Sequence, residues 1–342
     1  MIFVTGGTGL VGAHLLYVLT SAGKKVKALK RETSNLQQVL KVFSYYSEKH
    51  TRLFNQVEWV DGDILYYYSL EEMLDGVTEI YHCAAIVSFD PKERAKMIAN
   101  NVEGTANLVN AALENGVKKI CHVSSVAALG RLSGGQPVTE ETNWAPSKKV
   151  SGYSESKFFS EAEIWRGMEE GLDAVIVNPS VILGPGNWDS GSSRFFKTIF
   201  DGLKFYTKGV TGFVDVNDVA RAMVLLMDDA NFETAKNQRY ILNAENLSYQ
   251  ELFARIAESL GKPAPKYFAS GFILQFAWRA ATVLGWFSRK PSMITSETAA
   301  ASNSVSRFDG SKITRQIPFT YLPLSQTIRQ TSTFLKSDKA GL

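Results

Sequence analysis

The chain has only two cysteines and four histidines in 342 residues. Two thiols, Cys83 and Cys121, cannot build a disulfide framework, and both sit in apolar segments typical of reduced, buried cysteine. An excess of one charge is also missing: 37 basic residues stand against 34 acidic ones, a net +3, with no long basic run. That balance gives no footing for nucleic-acid binding. The first 23 residues hold no Lys, Arg, Asp or Glu, yet Gly6, Gly7, Gly9, Gly12 and His14 interrupt them, and no basic stretch precedes an apolar one. Neither a membrane span nor a secretory leader is expected there, so the reading is of a cytoplasmic protein. Residues 267–288 are strongly apolar, but Arg279 breaks them into uncharged pieces of 12 and 9 residues. Each is short of the roughly 18 that a span needs. The segment reads as a helix whose apolar face covers a pocket, with peripheral attachment to a membrane surface as the lesser alternative.

What is present fits a globular chain, with 45% hydrophobic and 21% charged residues. At about 150 residues per domain the length suggests two domains, or one large α/β unit. Residues 1–180 alternate short apolar runs with helical patterns. MIFV, KVKALK, VEWVDG, EIYHCAA, KKICHVSS and DAVIVNP read as six strands, buried on both faces because they are continuous rather than alternating. Helices are expected over Gly9–Ala22, Lys92–Asn115 and Ser154–Gly171, and a longer helical connection over 33–55. After Pro179 a glycine-rich stretch (184–212) precedes a helix at 217–228 and a strand near Tyr240–Asn243. From 245 onward helices and loops dominate. The expected fold is a Rossmann-type, doubly wound parallel sheet with a smaller, mostly helical C-terminal lobe.

TGGTGLVG, Thr5–Gly12, follows the first strand and opens a helix, which is the context a dinucleotide site requires. Glycines allow a tight turn and close backbone approach to a pyrophosphate, which the helix N-terminus attracts. Thr5, Gly6, Gly9, Leu10, Val11 and Gly12 are the contact candidates. At the end of strand two, where an acidic residue would meet a ribose 2′-hydroxyl, stand Lys30 and Arg31, with Ser34 nearby. This favours a 2′-phosphate and hence NADP, with NAD the alternative; the bland reading is two solvated surface charges. Tyr153 and Lys157, in YSESK, are four residues apart and share a helix face. An adjacent ammonium would favour the Tyr153 anion and make it an acid or base. VSSVAALG places Ser124 and Ser125 at the end of strand five; Ser125 is the better placed to polarise a carbonyl, and Ser124 to cap the turn.

Together these motifs resemble the extended short-chain dehydrogenase/reductase family, also called the NAD-dependent epimerase/dehydratase family, over essentially the whole chain. The resemblance implies further cofactor contacts. Asp63 and Ile64 in DGDI match the segment after strand three, Ala84 and Ala85 in HCAA the turn after strand four, and Asn101 in NVEGT the long helix. NPSVILGPG puts Asn178, Pro179 and Ser180 near the nicotinamide, and FVDVNDVA returns the chain to the nucleotide domain. The implied domains are 1–180 with 213–243, and a substrate lobe of 181–212 with 244–342. The dihydroflavonol 4-reductase-like branch is the nearer one, through ALKR, VSSVAALG and KGVTGFVDV.

The resemblance implies that Lys157 holds the nicotinamide ribose, Ser125 orients a carbonyl, and Tyr153 supplies a proton as hydride arrives. The expected activity is NADP-dependent reduction of an apolar ketone or aldehyde. Sugar-nucleotide epimerisation is the alternative, and a non-catalytic dinucleotide sensor the less favoured one. Phe89, Trp188, Phe195, Phe196, Phe268, Phe272 and Phe276 are the aromatics from which a pocket would be drawn. His82-Cys83 and Cys121-His122 are not read as metal ligands, because neighbours on a strand face opposite ways. A homodimer through residues 101–112 and 158–165 is expected, as the family commonly forms one.

Overall fold

The computed structural model describes residues 1–132, 135–146, 150–270 and 303–340. Its strands are β1 (Ile2–Thr5), β2 (Val26–Lys30), β3 (Val57–Asp61), β4 (Glu79–His82), β5 (Lys119–Val123), β6 (Asp173–Pro179), β7 (Val181–Leu183), β8 (Phe205–Tyr206), β9 (Val210–Asp215), β10 (Gln238–Leu242), β11 (Glu245–Ser248) and β12 (Tyr267–Phe268). The helices are α1 (Leu10–Ser21), α2 (Leu36–Ser44), α3 (His50–Phe54), α4 (Tyr67–Met73), α5 (Arg94–Glu114), α6 (Gly152–Glu169), α7 (Ser193–Phe200), α8 (Val216–Met227), α9 (Asp229–Ala235), α10 (Tyr249–Leu260), α11 (Ser311–Gln316) and α12 (Leu324–Ala340).

The continuous apolar runs become the central strands because both faces of each are covered. β1 and β5 are buried along their whole length. The seven-stranded sheet runs β10-β6-β5-β4-β1-β2-β3, and every pairing in it is parallel. On one face α1, α2 and α8 contribute Leu15, Leu16, Val42, Phe43, Val219 and Met223 to the core; on the other, α5 and α6 contribute Leu108, Val109 and Ile164. Sheet growth reverses between β1 and β4, leaving a crevice at their carboxyl ends.

A second core packs Leu183, Phe196, Phe213, Leu252 and Ile328 beside the sheet. It holds more strand than expected: β11, β9 and β7 form a small sheet, and β8 pairs with β12. The connection over 33–55 is two helices, α2 and α3, rather than one. Short helices α4 and α7 were not anticipated; α7 is masked in the sequence by its glycine- and serine-rich flank. No helix among the described residues is long and apolar enough to cross a membrane. Most of 267–288, with Phe272 and Phe276, lies outside the described residues.

Candidate active site

Gly6 follows β1 at a φ of +69°, and a Cβ there would lie 2.5 Å from the Ala84 backbone nitrogen. At Gly12 a Cβ would lie 2.1 Å from the Gly6 carbonyl oxygen. Both contacts are with backbone, so only glycine lets the turn fold this closely against α1 and the segment after β4. Gly9 is different: a Cβ would meet only the Gly6 oxygen, at 3.3 Å, and its outer side is exposed. Gly9 also caps α1 without a side-chain hydrogen bond, so the helix presents its first N–H groups to an incoming anion.

A cleft of about 220 Å³ opens from this turn. It is lined by Gly6, Gly9, Lys30, Arg31, Ser34, Asp63, Ile64, Ala84 and Ala85, and also by Thr8, Gly62, Cys83, Ile86 and Asn100, which the motif reading passed over. The signal for several was at hand, since Thr8, Gly62 and Cys83 sit inside the quoted motifs TGGTGLVG, DGDI and HCAA. A glycine cradle at an uncapped helix N-terminus, leading to a basic end, fits the pyrophosphate and ribose of a dinucleotide. Arg31 is exposed at that end, and its backbone N–H donates to the Ser34 hydroxyl at 3.0 Å. Lys30 also lines the cleft, and its ammonium pairs with the exposed Asp61 across the β2–β3 register.

Other expected contacts act from behind the wall. Thr5 is fully buried, accepts the Ala84 N–H at 3.3 Å and bonds to Nδ1 of His82 at 2.7 Å. Nε2 of His82 reaches the Thr105 hydroxyl at 3.0 Å, and that hydroxyl donates to the Asn101 carbonyl at 2.6 Å. Thr105 has one proton to give, so His82 carries its own on Nε2 and accepts from Thr5 at Nδ1. Burial holds this imidazole neutral, with its pKa down at about 3. Asn101 does not line the cleft; it clamps both backbone groups of Ile86, accepting at 2.7 Å and donating at 2.9 Å. Ser180 is buried and donates to the Leu242 carbonyl at 3.2 Å. Pro179 is buried within β6, and Leu10 and Val11 are partly buried on α1, Val11 against the core. His122, beside His82 at 5.0 Å between ring centroids, has no hydrogen-bond partner on either nitrogen.

Beyond β5, the Ser125 hydroxyl accepts the Ala127 N–H at 3.1 Å and is within hydrogen-bonding reach of the Tyr153 phenol. Capping thus falls to Ser125; Ser124 instead donates to the Glu161 carboxylate at 2.6 Å. The helix carrying Tyr153 starts at Gly152, earlier than expected, because the Ser151 hydroxyl caps it by accepting the Ser154 N–H. Lys157 is buried and donates to the Val123 carbonyl at 2.9 Å. Burial lowers its pKa to about 8, against the raising effects of Cys83 and Glu161. Tyr153 corrects the electrostatic expectation: burial raises its phenol, the Ser125 hydrogen bond opposes this, and the anion is not favoured. The Cys83 thiol, on the cleft wall, is pushed up to about 12 by burial while the Lys157 charge pulls it down.

Of the aromatics considered for a pocket, Phe89 meets Tyr153 edge-on at 5.6 Å. Phe196 is core, Phe195 packs on Phe253, Trp188 donates to Asp338 at 2.7 Å, and Phe268 stacks near Tyr206. Phe196, Phe195 and Trp188 serve packing, whereas Phe268 is exposed.

The signature of the NAD dependent epimerase/dehydratase family spans residues 2–241. A Synechocystis sp. protein that carries the provisional name dihydroflavonol 4-reductase is 31% identical over 334 residues, 95% of this chain and 92% of that one. Cinnamoyl-CoA reductase 1 of Petunia hybrida is 28% identical over 278 residues, 78% of each chain. Among solved structures, the dTDP-glucose 4,6-dehydratase DesIV of Streptomyces venezuelae, with NAD and TYD bound, has a TM-score of 0.77 at 20% identity, over 99% of this chain and 98% of that one. That likeness is one of fold. With the signature over most of the chain and a relative matched nearly end to end, the chain belongs to the NAD dependent epimerase/dehydratase family, the extended short-chain dehydrogenases/reductases, as an NAD(P)-dependent oxidoreductase- or epimerase-type enzyme with dihydroflavonol 4-reductase-like relatives.

Proposed function

We propose that the protein is an NADP-dependent reductase of a largely apolar ketone or aldehyde. The observation that carries this reading is a half-buried Tyr153 phenol within reach of the Ser125 hydroxyl, one helical turn from the buried Lys157 ammonium. A phenol holds its proton at neutral pH, and burial works in the same direction here, so Tyr153 is in the form a proton donor needs. In this reading residues 1–180 with 213–243 bind the dinucleotide, and 181–212 with 244–342 form the substrate lobe. The apolar ring of Phe89 beside the Tyr153 phenol suits a greasy carbonyl better than a sugar diphosphate, which needs several cations. Exposed Phe159 on α6 is the apolar contact that a homodimer through α5 and α6 would cover.

The Gly6–Gly12 turn would hold the pyrophosphate, Asp63 and Ile64 the adenine side, and Arg31 with Ser34 the 2′-phosphate. Bound NADPH supplies the hydride. Ser125 orients the carbonyl oxygen by hydrogen bond, Tyr153 delivers its phenolic proton to that oxygen, and Lys157 offers the positive charge that stabilises the phenolate left behind. The Ala84–Ile86 wall, fixed by Thr5 and Asn101, keeps the cleft in shape. Asn178 lies under the Ser125 turn, donating to its carbonyl at 3.1 Å.

NADPH oxidation across a panel of aryl and alkyl ketones and aldehydes tests the activity; silence with all of them, with binding of a nucleoside diphosphate, would favour the sugar-nucleotide alternative. Arg31→Asp is expected to weaken NADPH by about tenfold to a hundredfold while leaving NADH within about threefold, as loss of one charged fork to phosphate should. Equal losses for both cofactors remove Arg31 from the argument. The pH profile follows from Lys157: its ammonium persists below about 8 and is lost above it. kcat/KM should therefore fall as pH rises through that value, and a plateau to pH about 10 would show that the charge is not needed.

A further inference from the structure

Glu161 lies on α6 four residues beyond Lys157 and eight beyond Tyr153, along one helix face. It is 3% exposed, and a buried carboxylate is tolerated only when its lone pairs are filled. Four donors fill them. Oε2 accepts from the Ser124 hydroxyl at 2.6 Å and from Nδ2 of Asn178 at 2.8 Å. Oε1 accepts from Nη1 of Arg239 at 3.1 Å and from the Trp165 indole N–H at 3.3 Å.

Trp165 lies on α6 itself, and the other three donors come from neighbouring positions in the sheet. Ser124 follows β5, Asn178 lies in β6 and Arg239 in β10, adjacent in the order β10-β6-β5. The carboxylate thus stitches the helix that carries Tyr153 and Lys157 to the strand end that leads into Ser125. Asn178 tightens the joint by donating to the Ser125 carbonyl, and the Ser124 N–H donates to Val177 O at 2.8 Å.

A neutral amide could make some of these bonds; the charge does something more. The titratable groups acting on Lys157 are His82 on β4, Cys83 just after it, His122 on β5 and Glu161 on α6. Burial keeps both imidazoles neutral and Cys83 a thiol. Among the described residues, that leaves the Glu161 carboxylate, itself paired with the Arg239 guanidinium at 3.1 Å, as the anion one helical turn from the Lys157 ammonium.

We propose that Glu161 is a positioning residue of the Ser125–Tyr153–Lys157 site, fixing the Ser124–Ser125 turn against α6 and sustaining the charge of Lys157. The proposal rests on the reductase reading. Glu161→Gln in the full chain keeps the side-chain shape, removes the charge and sets an amide N–H2 against Asn178. It is expected to lower kcat about tenfold with KM for NADPH within about twofold, because the loss falls on the reacting geometry and not on cofactor binding. The basic limb of kcat/KM should move down by on the order of one pH unit, since Lys157 loses its anionic neighbour. Ser124→Ala removes one tether and keeps the charge, so kcat should fall by about threefold with that limb unmoved.

A folded Glu161→Gln enzyme with wild-type kcat and an unmoved limb overturns the proposal. Should Glu161→Gln fail to fold, Ser124→Ala decides: a wild-type kcat overturns the tether, and a lowered kcat with the limb in place supports it. If the wild-type protein binds NADPH but reduces no carbonyl, the reductase reading fails on its own. The Lys157 ionisation, followed by ¹³C NMR of protein labelled with [6-¹³C]lysine and assigned with Lys157→Met, then tests the coupling. An identical midpoint in wild type and Glu161→Gln overturns it.

Discussion

Replacing Tyr153 by Phe should lower kcat by about 10²–10⁴-fold, the range for removing a positioned general acid. The ring survives this change, so its edge contact with Phe89 at 5.6 Å and the packing of the first turn of α6 persist. Affinity for NADPH should accordingly stay within about twofold, which makes the loss one of chemistry and not of binding. Pre-steady-state NADPH oxidation, read at the cofactor absorbance, separates the two. A Tyr153→Phe enzyme that turns over like wild type would take the proton-donor role away from this residue.

Gly12→Ala carries the second large effect, and it acts on binding. The added methyl would sit 2.1 Å from the Gly6 carbonyl oxygen and 2.7 Å from both the Gly6 carbonyl carbon and the Gly7 Cα. All three neighbours are backbone, so no rotamer change relieves the clash and the turn must move away from α1. Overpacking of this kind costs about 1–3 kcal/mol, and because the displaced backbone is the anion cradle, the dinucleotide should bind about tenfold to a hundredfold more weakly. Titration calorimetry with NADPH and NADP measures it. Gly23→Ala provides the contrast, since nothing lies within 4 Å of a Cβ there; its φ of +72° predicts some loss of stability, but cofactor affinity equal to wild type. Equal affinities in Gly12→Ala and wild type would mean that the turn is not where the pyrophosphate sits.

Much of the central sheet was legible because its strands are written as unbroken apolar runs, and a run such as VIV in DAVIVNP has no other stable place than between two helical layers. The glycine turn was legible for a local reason too, since its steric demands act over a few residues. What escaped the sequence was set at long range. Lys30 belongs to Asp61 only because β2 and β3 pair in that register, and Thr5 turns inward because His82 waits on the neighbouring strand. Glu161 shows the limit most clearly. Its spacing from Lys157 was visible, but a glutamate on a helix is normally solvated, and only the convergence of Ser124, Asn178 and Arg239 from three strands makes burial tolerable. Which aromatics would line a pocket was not legible for the complementary reason: Phe196 and Trp188 find partners far along the chain.

The outermost strand of the main sheet is made last. β10 comes from residues 238–242, more than fifty positions after β6, and it covers that strand from Val175 to Pro179. While the chain is still emerging from the ribosome, β6 therefore has a bare row of backbone donors and acceptors on one side, the kind of template on which a second nascent chain can pair. The parallel sheet is thus not complete at the end of β6. Its edge on that side is closed by a strand delivered only after β7, β8 and β9 have been made.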